Sequence, residues 1–160
     1  MNPIHVHLIV NHVALLGSLF GVLALAYGIW RSSHDLVQFA YFMLIVGAVG
    51  AAMSHFSGEE AEHLLRNVDG ITEAAVEHHE EAARPIMPSM FLLAMLAIVG
   101  LVANNRQWAV AGKIKVAVLV VGMAFFGLTA YIANEGGKIR HPEARDSLQA
   151  STNANEELED

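Results

Sequence analysis

The sequence predicts an all-α integral membrane protein, a four-helix bundle with a short amphipathic helical pair between its second and third spans. Three observations carry that reading. The 160 residues are 54% apolar and only 16% charged, where soluble domains carry about a quarter charged. Mean hydropathy is +0.43. The apolar residues are gathered into long uncharged runs rather than spread at core spacing, and four of these runs approach the roughly 20 residues that a bilayer requires.

The first run, residues 8–30, lies close to Met1 but lacks the basic segment of a signal peptide and carries Asn11 and His12 instead, so it reads as a retained helix. Gly17 and Gly21 are spaced for close helix approach, and Tyr27 and Trp30 suit a membrane interface. The second span, residues 36–53, repeats the small-residue pattern with Gly47, Gly50 and Ala51. Residues 54–85 are too polar to cross. They read as two short helices, the first with Ala61, Leu64, Leu65 and Val68 on one stripe and Asp69-Gly70 as its stop. In the second, residues 72–84, Ala75, Val76, Ala82 and Ala83 share a face with His79, whereas His78 is flanked by Ala74 and Glu81. His79 is therefore the histidine aimed inward. Pro85 and Pro88 open the third span, residues 86–103, where a missing amide costs little. The fourth span, residues 116–133, is followed by Gly136-Gly137 and a short basic patch. Residues 1–145 form one domain in this reading, and residues 146–160, ending Glu-Glu-Leu-Glu-Asp, form a disordered acidic tail.

Composition also excludes. Without cysteine there is no disulfide, thiolate zinc site, chain-held iron–sulfur cluster or covalent c-type haem. Nine Lys+Arg against sixteen Asp+Glu offer no basic stripe for nucleic acid. No phosphate-binding glycine loop, serine-nucleophile motif or HExxH pair is present.

Four spans place both termini and residues 54–85 at one end of the bundle, the loop end, and two short turns at the other, the turn end. The turn end holds Arg31, Arg106, Lys113 and Lys115 against Asp35 alone. Short basic turns predict a cytoplasmic face, which puts the loop end on the periplasmic side of a bacterial inner membrane. Of the nine histidines, His5, His7, His12, His55, His63, His78, His79 and His141 fall at the loop end and only His34 at the turn end. His12 lies roughly 6 Å below the start of its span at 1.5 Å per residue, and an imidazole at that depth points to function.

The expected function is electron transfer by a b-type haem held near the periplasmic face, with His12, His55 and His79 as candidate axial ligands. Two neutral imidazoles fill both axial positions of low-spin iron. His141 is a further ligand or an outer donor, and Lys138 and Arg140 would neutralise the propionates. Such a chain is an electron carrier or a subunit of a redox assembly rather than a stand-alone enzyme. Met53, Met87 and Met90 are lesser axial candidates. The alternative is an iron, copper or zinc ion held among His12, His55, His63, His79, Glu60 and Glu80. Glu60-x-x-His63 has the spacing used by di-iron bundles, but those proteins need two copies and the sequence has one. A third reading is a structural membrane subunit whose acidic face docks a partner.

The segments HLIVNHVALLG, FSGEEAEHLL followed by GITEAAVEHHEEAA, and GGKIRHPEA resemble a bacterial family of small four-helix membrane proteins of unknown function, over most of residues 5–145. The resemblance implies roles for the early histidine, His12, for the pair His79-Glu80, and for His141 after Gly136-Gly137. Some members are fused to Rieske iron–sulfur or c-type cytochrome domains, which implies redox partners alongside the lipid bilayer. The chain departs from the pattern in lacking a proline after His12 and in carrying His55 and His63 as extra histidines.

Overall fold

The computed structural model describes residues 3–65, 68 and 71–141, without the side chains of Glu62 and His63. The predicted tail, the Asp69-Gly70 stop and the His63 side chain therefore lie outside the described residues. Five helices follow in order: α1 (Pro3–Trp30), α2 (His34–Leu65), α3 (Glu73–Ala83), α4 (Ile86–Asn105) and α5 (Ala111–Arg140). Helices α1, α2, α4 and α5 are long and apolar enough to cross a membrane, and they form an up-and-down four-helix bundle. In the bundle α1 packs on α2 and α5, α4 packs on the same two helices, and α3 lies against α5. Apolar side chains including Phe20, Leu23, Phe42, Phe91, Met95, Val120 and Met123 point outward, which suits lipid and would be unfavourable in water over so large a surface.

The long helices outrun the predicted spans at the loop end. Residues 54–65 are the last three turns of α2 rather than a separate amphipathic helix, because helical hydrogen bonds are local and need no change where the chain leaves an apolar environment. Only α3 survives as an independent element, close to the predicted residues 72–84. Helix α5 likewise runs through Gly136 and Gly137 to Arg140.

Helices α1 and α2 meet along an antiparallel seam of small residues. A Cβ on Gly47 would sit 2.8 Å from the Ser18 backbone nitrogen, one on Gly50 2.8 Å from that of Ala14, and one on Gly17 2.9 Å from the Gly47 Cα. Backbone therefore rests on backbone, as expected of helices that associate through close packing rather than hydrophobic exclusion. Toward the turn end the seam continues with Gly21 against Leu44 and Gly28 against Val37. The fully enclosed side chains Leu25, Val37, Tyr41, Leu44, Leu93, Val118 and Phe125 all belong to this half. Gly100 lets Tyr41 lie against α4, since a Cβ there would fall 2.6 Å from the phenol ring.

Candidate functional site

At the loop end the helices flank a half-open cavity of about 680 Å³, within the range of ligand pockets. It reaches down to Ala14, Ala51 and Thr129 and is covered from the side by α3. Five histidines line it: His7 and His12 from α1, His55 from α2, His79 from α3, and His141 just past α5. Imidazoles from four separate stretches thus line one cavity, whose remaining wall combines aliphatic side chains with Asn11, Ser54, Glu59, Glu80, Thr129, Arg84 and Arg140.

His7 is set by α2. Its Nδ1 lies 2.9 Å from the Ser54 carbonyl and 3.3 Å from the Ser57 hydroxyl. A carbonyl can only accept, so Nδ1 carries the hydrogen and the Nε2 lone pair stays available, the arrangement found in metal-bound histidines. Gly58 makes room for the ring, because a Cβ there would come within 3.2 Å of it. His12 donates Nδ1 to the Leu8 carbonyl at 2.6 Å, which fixes the same tautomer, but its side chain is exposed.

His79 comes from the opposite wall. Its Nδ1 is buried and has no hydrogen-bond partner, and the ring interacts with the Ile132 backbone and the Glu135 carboxylate. Gly136 is its counterpart of Gly58: a Cβ there would lie 3.1 Å from the ring. The His7 and His79 rings stand 6.5 Å apart, centroid to centroid, with planes at 88°. His78, by contrast, points away from the cavity and lies 3.1 Å from the buried Glu135 carboxylate, so the inward assignment of His79 over His78 holds.

The remaining predicted residues divide. His55 is half-buried on the cavity wall, 3.9 Å from Glu59 and edge-on to Phe56. His141 and Glu80 line the cavity from exposed positions. Lys138 does not serve the cavity: its Nζ is 2.7 Å from Glu135, and that carboxylate takes the charge expected to meet a propionate. Arg84 does line the cavity, 3.8 Å from the exposed Glu81 carboxylate. Glu60 is exposed and outside the cavity. Met90 is in the apolar core, Met87 packs against it and Met53 is exposed, and none lines the cavity. Among the described residues no group of three His, Asp or Glu is placed to hold a metal ion.

His7 was missing from the predicted ligand set. A signal was present, because His7, Ala14, Gly21 and Gly28 recur every seven residues and the last three form the buried stripe of α1. His12 falls off that stripe.

No family model, curated protein or solved structure matches the chain.

Proposed function

We propose that the chain is a membrane-bound electron-transfer protein that binds haem b in the loop-end cavity through two of its histidines. The supporting observation is the donor arithmetic of that cavity. A bare zinc ion wants about four protein ligands, and no group even of three is placed for one among the described residues. A porphyrin brings four equatorial nitrogens of its own and asks the chain for two axial imidazoles, which a cavity lined by five histidines supplies. Aliphatic residues such as Leu8, Leu15, Ala51, Val76, Ile86 and Ile132 line the same space and suit the flat apolar face of such a ligand. Arg84 and Arg140 stand ready for carboxylates at the rim.

When bound, the iron would supply a one-electron couple. The chain would hold that group through two imidazoles, with the His7 tautomer set by the Ser54 carbonyl, so that little rearranges on electron transfer. The loop end faces the periplasm of a bacterial inner membrane in this reading, with a c-type cytochrome, a Rieske protein or another redox subunit as partner. The basic turn end supports that sidedness.

The test is a reduced-minus-oxidised spectrum of the full chain purified in detergent, with a pyridine haemochrome assay. A Soret band that shifts on dithionite reduction, with haem b near one equivalent per chain, is expected. Folded protein without that band overturns the proposal. Bound iron, copper or zinc in such a preparation would mean an ion site, and neither haem nor metal would mean a structural subunit.

A further inference from the structure

We infer that the axial pair is His7 and His79, an inference that rests on the haem reading above and narrows it to two rings. Imidazoles on opposite sides of one metal, at nitrogen–metal distances of about 2.0–2.1 Å as for zinc, have ring centroids roughly 6 Å apart. The observed separation of His7 and His79 is 6.5 Å. That separation matches two rings sharing one iron.

The surroundings of the two rings are also matched. Each stands against a glycine of a neighbouring helix, Gly58 on α2 for His7 and Gly136 on α5 for His79, where a Cβ would come within 3.2 and 3.1 Å. A side chain at either glycine would push its ring off position. His7 has its Nδ1 hydrogen committed to the Ser54 carbonyl, leaving one lone pair as the ligand. The His79 Nδ1 is buried without a well-formed hydrogen bond, on a ring that also meets the Ile132 backbone, a costly state that coordination or a small ring adjustment relieves. Among the described glycines, none stands against another cavity histidine. His12 and His141 are exposed, and His55 faces the Glu59 carboxylate.

The two rings are perpendicular, at 88°. Perpendicular axial planes leave the iron d-orbitals nearly degenerate, so the oxidised protein should show one very low-field g feature rather than three well-spread ones. Helix α1 and helix α3 would then be tied through the metal, with α3 docked on α5 beside it.

The experiment compares single variants of the full chain in detergent: His7→Ala, His79→Ala, His12→Ala, His55→Ala and His141→Ala, each read by absorption and electron paramagnetic resonance. Loss of the low-spin spectrum is expected in the first two and its retention in the other three. Because an alanine variant that misfolds would also empty the site, His7→Gly and His79→Gly are measured with added imidazole, which should restore the low-spin bands. A low-spin spectrum that survives His7→Ala, or that is lost in His12→Ala or His55→Ala and rescued there instead, overturns the pair while leaving haem binding intact. Wild-type chain that takes up no haem overturns both.

Discussion

The two ends of the bundle are built from one α1–α2 seam and come out differently. At the middle the seam is glycine against backbone, and the largest enclosed side chains lie there and toward the turn end. Seven residues along α1 from Ala14, the same stripe meets α2 through His7, Ser54 and Ser57, and the helices flank a cavity of about 680 Å³. Close packing stabilises one end, and the other gives up packing for a lined space. Since every unfilled volume weakens a fold by lost contacts, the cavity costs stability that the tightly packed half offsets.

The largest effect should come from testing that division with one substitution at two places on the seam. Gly47→Ala puts a methyl 2.8 Å from the Ser18 nitrogen, where only a shift of a whole helix relieves the clash, and should cost about 3 kcal/mol. Gly58→Ala meets only the edge of the His7 ring, and its cost should be offset by the roughly 0.8–1.0 kcal/mol that alanine gains over glycine in a helix. Thermal unfolding in detergent should therefore separate the two variants by several degrees. Equal destabilisation would show that the ends do not differ as the seam implies. Gly58→Ala should instead perturb the haem spectrum, which Gly47→Ala reaches only through unfolding.

A second test asks what holds α3 over the cavity. Glu135 is 6% exposed and takes Lys138 at 2.7 Å and His78 of α3 at 3.1 Å. Removing one member of a fully buried ion pair costs about 3–5 kcal/mol, and this pair is partly open, so Glu135→Ala should cost about 2 kcal/mol. The loss should be local. Hydrogen exchange in α3 is expected to rise while the middle of α1 and α2 stays protected; uniform loosening would mean that α3 is not a separable cover.

How much of this was legible depends on which physics writes the signal. The four crossings are visible because a bilayer imposes a length on apolar runs, and the inward face of α3 is visible because Ala75, Val76, Ala82 and Ala83 mark it. The end of α2 was misplaced because the pattern of residues 54–65 reports a change of solvent, and the backbone makes no change there. Distance along the chain favours His12 over His7, whereas the stripe that faces α2 is set by rotation about the helix axis. Lys138 was assigned to the cavity although Glu135 precedes it by three residues, a spacing at which helical side chains meet.

The smallest effects concern the two turns that close the tight end. Each ends its helix with paired backbone bonds: Ser33 to Gly28 at 2.9 Å and Ser32 to Ile29 at 3.1 Å after α1, and Trp108 to Ala103 at 2.9 Å and Gln107 to Asn104 at 3.3 Å after α4. That pattern needs a left-handed residue, usually glycine, but Ser32 and Gln107 hold φ at 50° and 52°. A non-glycine residue there carries a penalty of about 1–2 kcal/mol. Ser32→Gly and Gln107→Gly remove it and give back part through the freer unfolded chain, so each should stabilise by up to about 1 kcal/mol and raise the melting temperature slightly. Neither should move a haem spectrum arising at the far end. A fall in stability would mean that the Ser32 or Gln107 side chain itself secures the turn. A spectral change would mean that strain at the turn end reaches the cavity, and the two halves could then not be treated as separate structures on one seam.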